Sequence, residues 1–229
     1  MRLTTIVSPL LDAACHVLVD EGRCVVVDPG AGVADDVVAL VAREGWVPVA
    51  VLLTHGHVDH TWDAAAVSER LGVPVHVHAD DAYRLEDPIG SLGPLGEQLL
   101  AIAGAGPTTP ADVVPFSSPA GDEVVVTLGR GAAVLDVVAL HSPGHTQGST
   151  VYLVPGDGAP DGPRTALTGD VLFAGTIGRT DLPGGDAAAM ARTLTRLARL
   201  DPATVVHPGH GPASTVGAEL ARNPYLRAT

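Results

Sequence analysis

Four side chains able to bind a metal, His55, His57, Asp59 and His60, fall within six residues directly after the apolar run Val49 to Leu53. Packing does not explain this density. Buried without a metal, three imidazoles and a carboxylate would each need hydrogen-bond partners. Neutral ring nitrogens and carboxylates are instead direct ligands for zinc, iron or manganese. His55 and His57, two apart at a strand end, can point to one side, and Gly56 lets the chain turn between them. Asp59 and His60 fall where a helix begins. The pattern predicts a buried strand that ends in a metal site.

Composition sets the frame for that strand. Of 229 residues, 46% are hydrophobic but only 3% aromatic, so a substantial core has to be aliphatic. All 13 basic residues are arginines, and the formal net charge is -13. Nucleic acid and anionic membrane both require a positive footprint, so neither is expected as a partner. No apolar window approaches the roughly 20 residues that span a bilayer. Ser8-Pro9 and Asp12 interrupt the only resemblance to an export leader, and a cytoplasmic location is expected. Cys15 and Cys24 fall on two strands around the turn at Glu21-Gly22. Cys24 then faces Val19 and Cys15 faces Asp28, roughly 13 Å apart along the strands, too far for a disulfide. Two buried thiols also fit a reducing compartment.

Along the chain, strands are expected at His16 to Val19 and Cys24 to Val27, the second ended by Asp28-Pro29-Gly30. Val33, Val37, Leu40 and Val41 share one face of a helix that Gly45 stops, with Asp35 and Asp36 in its first turn. After the strand Val47 to Leu53, a second helix runs from Trp62 to Leu71. Val73 to His78 alternates as a strand that places His76 and His78 on one face; the expectation there, as for His16, is a solvent-facing or hydrogen-bonded imidazole rather than a second metal site. Between Asp80 and Gly121 periodicity is poor and Pro, Gly and Ser accumulate, with a helix only at Glu97 to Ala103. Such a segment reads as a loop-rich insertion of about 80–121 that shapes a substrate site. Strands resume at Glu123 to Leu128, Ala133 to Leu140, Ser149 to Val154, Thr165 to Leu167 and Thr204 to His207, with a turn at Pro155 to Pro163. Helices are expected at Ala187 to Leu200 and Thr215 to Ala221. No tandem repeat or linker divides the chain, which is read as one domain over 1–229.

Three later fragments repeat the strand-then-ligand plan. His145 stands in His141-Ser142-Pro143-Gly144-His145-Thr146, Asp170 in Leu167-Thr168-Gly169-Asp170, and His210 in His207-Pro208-Gly209-His210-Gly211. A glycine precedes each ligand and permits close approach of backbone to a site.

Together these motifs resemble the metallo-β-lactamase-fold hydrolases over nearly the whole chain, and in particular the glyoxalase II-like (hydroxyacylglutathione hydrolase-like) branch; Phe173-Ala174-Gly175-Thr176-Ile177-Gly178-Arg179-Thr180-Asp181 is similar to both that branch and the persulfide dioxygenases. The resemblance implies an α/β (α+β) fold, an αββα sandwich of two mixed β-sheets flanked by helices with the site at one edge. By matching motif it implies two divalent metal ions, zinc first with iron or manganese as alternatives. His55, His57 and His145 would hold the first, Asp59, His60 and His210 the second, and Asp170 would bridge them. His141 and His207 stay outside the coordination shell, His141 pointing away or supporting a ligand.

Two cations sharing a water stabilise hydroxide near neutral pH, and even one zinc lowers the pKa of bound water to about 7. A thiolate, whose acid has a pKa near 8.5, leaves without obligatory protonation. The resemblance therefore implies a thioester hydrolase that uses metal-bound hydroxide, with Asp59 and Asp170 in the catalytic centre and a small-molecule acyl thiol as substrate. No Gly-x-Ser-x-Gly elbow offers a serine route. Arg179 is a candidate to orient an anionic substrate or to pair with Asp181. The chain is expected as a monomer or homodimer. The alternative is a persulfide dioxygenase of the same fold, with one iron at the positions of His55, His145 and Asp170.

Overall fold

Valine-rich antiparallel hairpins and four parallel strand pairs generate the architecture. The computed structural model describes residues 1–103, 105–119, 122–156 and 162–227. The first sheet runs in chain order: β1 (Arg2–Val7), β2 (Ala14–Asp20), β3 (Arg23–Val27), β4 (Val47–Leu52), β5 (Val75–His78) and β6 (Val113–Phe116). Its first two pairings are antiparallel and the rest parallel. The second sheet contains β7 (Glu123–Arg130), β8 (Ala133–His141), β9 (Thr150–Pro155), β10 (Arg164–Gly169), β13 (Val205–Pro208) and β14 (Ser214–Thr215) in the order 14-13-10-9-8-7, with only β10 and β13 parallel. A small ribbon, β11 (Leu172–Phe173) with β12 (Thr176–Ile177), follows β10.

Side-chain alternation makes the layers. Val25, Val27 and Leu52 face inward and meet Leu128, Val137, Tyr152 and Leu167 of the other sheet in an almost wholly aliphatic core. Each such side chain contributes roughly 1.5–3 kcal/mol by leaving water. Val26 and Val51 face outward beneath helices α1 (Ala34–Glu44) and α3 (Ala64–Leu71), through Val37 and Val67. On the far side Met190, Leu194 and Leu197 of α6 (Ala187–Leu197) cover Val151, Leu153 and Val206. Helix, sheet, sheet, helix is the expected αββα sandwich. Gly45 and Gly72 close α1 and α3 in the left-handed conformation, and the Asp186 side chain caps α6 by accepting from Ala188 and Ala189 N–H.

Several details differ from the sequence expectation. The helix after the ligand cluster is split into α2 (Val58–Thr61) and α3, with Trp62 and Asp63 between them. The Asp80 to Gly121 segment carries α4 (Ala82–Glu86), α5 (Pro94–Ala103) and the edge strand β6, where one helix was expected; residues 104, 120 and 121 lie outside the described set. Residues 157–161 of the expected Pro155 to Pro163 turn lie outside it as well. Two short helices, α7 (Val216–Arg222) and α8 (Pro224–Arg227), complete the chain's described part. Cys24 pairs with Val19 as expected, and both thiols are free and buried. Burial pushes the Cys24 thiol up to about 11, as befits an inert core residue. No described helix is long and apolar enough to cross a membrane.

Candidate metal centre

Strand direction brings the ligands together. β3 and β4 are parallel, as are β10 and β13, and β8 runs the same way as β10 because two antiparallel steps separate them. The chain therefore leaves β3, β4, β8, β10 and β13 at a common edge. The Tyr152 hydroxyl donates to the Leu53 carbonyl at 2.8 Å, and Thr150 N–H donates to the Thr54 carbonyl at 2.8 Å, pinning the end of β4 to β9. Gly209 N–H donates to the Gly169 carbonyl at 2.9 Å, which sets His210 beside Asp170. A Cβ at Gly209 would collide with Asp170 Oδ1 and with the His60 ring, so only glycine fits between them.

All seven expected ligands meet at this edge in two adjoining groups, each close enough to hold an ion: His55, His57 and His145, then Asp59, His60, Asp170 and His210. Asp170 faces both, with Oδ1 3.3 Å from His60 Nε2 and Oδ2 3.6 Å from His145 Nε2.

Hydrogen bonds behind the rings leave lone pairs facing inward. Thr54 Oγ1 donates to Asp28 Oδ2 at 2.6 Å and so accepts from His55 Nδ1–H at 3.0 Å. His60 Nδ1–H donates to the same Asp28 oxygen at 3.0 Å. His145 Nδ1–H donates to the Arg179 carbonyl at 2.8 Å. The forward nitrogens then face one another: His57 Nδ1 lies 2.8 Å from His145 Nε2, and His60 Nε2 lies 3.3 Å from His210 Nε2. His55 Nε2, His57 Nε2 and Asp170 Oδ1 are buried without hydrogen-bond partners. Convergent lone pairs and orphaned acceptors are what a cation satisfies, and nitrogen and carboxylate donors suit a divalent transition metal. The residues present fit the expected pair of metal ions.

The two groups differ in charge. Burial, then the neighbouring imidazoles, lowers the His55 pKa far below the usual value, and burial with His145 pushes His57 down to about 3. Burial also acts against the charged form of His60, but Asp170 and Asp59 outweigh it and raise that ring well above the usual value. A hydrogen bond to Asp59, against some burial, raises His210. Burial disfavours ionised Asp59 and Asp170, yet His60 and its neighbours hold both carboxyls below the usual range. The second group thus concentrates negative charge that favours a cation.

The remaining candidates fall outside. His76 and His78 are buried rather than solvent-facing: His76 Nε2 accepts from Gly129 N–H, and His78 Nε2 from Ser118 N–H. His78 comes near Asp80 and His141, but the two rings stack at 3.9 Å and 16°, so no ion can lie in both ring planes. His141 donates through Nε2 to the Gln147 carbonyl at 2.7 Å, behind the ligand loop. His16 is also buried, bonded to Thr5 Oγ1 at 2.9 Å. The Arg179 guanidinium makes a bidentate pair with Asp181, both contacts 2.7 Å, while its carbonyl serves His145. Sequence reasoning passed over Asp28, read only as a strand stop. It is 1% exposed with a positive φ of 51°, and a buried aspartate at a left-handed position is the available signal.

A sequence profile of the Metallo-beta-lactamase superfamily matches residues 9–210. The chain belongs to that superfamily. An uncharacterized protein of Mycobacterium tuberculosis is 41% identical over 229 residues, covering 99% of this chain and 98% of its own. The hydroxyacylglutathione hydrolase GloC of Haemophilus influenzae is 30% identical over 211 residues, 91% of this chain and 90% of its own. The crystal structure of BLEG-1 B3 metallo-beta-lactamase superposes with a TM-score of 0.81 at 30% identity, covering 98% of this chain and 99% of that one. TTHA1623 in a di-iron-bound form gives 0.76 at 31%, covering 97% and 100%. The superfamily binds divalent metals, often two, which agrees with the two ligand groups.

Proposed function

We propose that this metallo-hydrolase cleaves S-acyl thiol conjugates at a dinuclear centre held by His55, His57, Asp59, His60, His145, Asp170 and His210. The observation that carries the reading is the convergence of those seven side chains, with hydrogen bonds behind the rings of His55, His60 and His145 turning their other nitrogens inward. Similarity to GloC, named as a hydroxyacylglutathione hydrolase, supports the thioester substrate. Divalent ions held there, zinc by preference, would supply hydroxide near neutral pH and positive charge for the carbonyl oxygen of the substrate.

The chain's own residues prepare that chemistry. Asp28 and Thr54 fix the tautomers of His55 and His60, and the Arg179 carbonyl fixes that of His145, so the rings need no reorganisation. Asp170 places a carboxylate between the two groups. Asp59 and His210 are the more exposed members, with Asp59 Oδ2 3.3 Å from His210 Nε2, and would be the first ligands an incoming carbonyl meets. The thiolate departs without a protonating side chain because its own pKa is modest.

The test is a hydrolysis screen over acylated glutathione, mycothiol, bacillithiol and coenzyme A, with metal analysis of the same sample. Turnover of one or more thioesters with about two metals per chain is expected. One iron per chain with rapid oxygen uptake on glutathione persulfide, and no thioester cleavage, would replace the proposal with a persulfide dioxygenase.

A further inference from the structure

Asp81 and Arg84 lie outside the seven ligands, and both are 0% exposed at the side chain. Asp81 accepts four hydrogen bonds. Its Oδ2 takes Gly56 N–H at 2.8 Å and Thr146 Oγ1–H at 2.7 Å, and its Oδ1 takes Gly148 N–H at 2.9 Å and Arg84 Nε–H at 3.3 Å. Gly56 stands between His55 and His57, while Thr146 and Gly148 follow His145. One carboxylate therefore ties the loops that carry all three histidines of the first group. A Cβ at Gly56 would come within 2.8 Å of Arg84 Cβ and Cδ, and one at Gly148 within 2.7 Å of Asp81, so the pair is wedged between the loops.

Arg84 extends the tie. Its guanidinium donates to the Gln147 side chain at 3.0 Å, the Pro183 carbonyl at 2.7 Å and the Ser91 carbonyl at 3.4 Å. Pro183 belongs to the loop after Asp181, and Ser91 to the segment before α5. None of these bonds reaches Asp59, His60 or His210, whose supports are Asp28 and the Gly169–Gly209 contact.

We infer that Asp81 and Arg84 are positioning residues for one half of the centre: they set the spacing of His55, His57 and His145, and couple it to the loops at Ser91 and Pro183. The inference rests on the metal centre and not on the identity of the substrate. Every partner of Asp81 is a donor, so Asp81→Asn, nearly isosteric, turns an amide NH₂ toward two donors. Arg84→Lys keeps the charge but loses the planar fork that serves four acceptors. Thr146→Val removes a single bond of the set.

The experiment is cobalt titration of metal-stripped protein, followed by visible absorption, with His55→Gln and Asp59→Ala used to assign the two uptake steps. Asp81→Asn should weaken the three-histidine step by about 10–100-fold, the usual cost of losing an outer support, and leave the other step unchanged. Arg84→Lys should act in the same direction, and Thr146→Val more weakly. Excess metal should restore turnover in all three. A folded Asp81→Asn protein with both steps at wild-type affinity would overturn the assignment. If Asp81→Asn does not fold, equal loss at both steps or no loss in Arg84→Lys and Thr146→Val would do so. Wild-type protein that takes up no cobalt would overturn the centre itself, and the assignment with it.

Discussion

The three-histidine group and the Asp59–His60–Asp170–His210 group adjoin, yet they are prepared for a cation by opposite means. The first rests on neutral rings at His55 and His57, whose pKa values burial lowers, and on loops clamped by Asp81. The second is charged: two ionised carboxylates attract positive charge, and His60 and His210 bind protons more readily than free imidazole. The first group thus relies on geometry and the second on field. Metal should leave them in different ways.

Asp170 faces both groups, so Asp170→Ala offers the largest effect. Metal content should fall at both positions, and thioester turnover should drop by more than the roughly 100-fold typical of losing an outer support; unchanged hydrolysis would remove Asp170 from the centre. Asp28→Asn comes next. Asp28 touches His60 directly and His55 through Thr54, so affinity should fall by about 10–100-fold, more in the acidic group, by the same cobalt titration.

Acid sharpens the contrast. His60 and His210 have raised pKa values, so protons should displace metal from the acidic group first as pH falls, while His57, at about 3, still offers a neutral ring. Metal-free protein should show opposite linkages. Stability from His60 and His210 is fully present below the unfolded value of about 6.5 and is lost as pH rises through their higher folded values. Stability from neutral His57 is present above about 6.5 and is lost as pH falls toward about 3. Denaturant titrations of His60→Gln and His57→Gln variants across pH should remove one linkage each; identical pH profiles would contradict the distinction. The smallest effect belongs to Asp181→Asn. It frees an exposed arginine whose own carbonyl serves His145, so thermal stability should not change measurably, and KM for an anionic thioester should fall a few-fold with both cobalt steps intact.

Much of this centre was legible in the sequence because its ligands announce themselves locally: His55, His57, His145, Asp170 and His210 each adjoin a glycine near the end of a strand, and Asp59 and His60 follow His57 within three residues. The two β-sheets were partly legible for a related reason: β3, β4 and β8 are nearly continuous apolar segments. The edge strands of the first sheet were not. β1 reads Arg-Leu-Thr-Thr-Ile-Val with exposed positions, and β6 contains Pro115, which only an edge strand tolerates. Asp28, Asp81 and Arg84 were missed because their meaning lies in partners 25 or more residues away, such as Gly56, Thr54 and Gln147. Nothing in Ala79-Asp80-Asp81-Ala82 says which aspartate turns inward. Arg179 shows the converse: its side chain drew notice, whereas its carbonyl reaches the centre.

The most direct measurement is cobalt binding to metal-stripped protein at two pH values, near 7.5 and near 6. Two equivalents in two steps are expected at the higher pH, with the step assigned to the acidic group weakened selectively at the lower. A single equivalent, or two that weaken together, would contradict a centre divided between a neutral and a charged half.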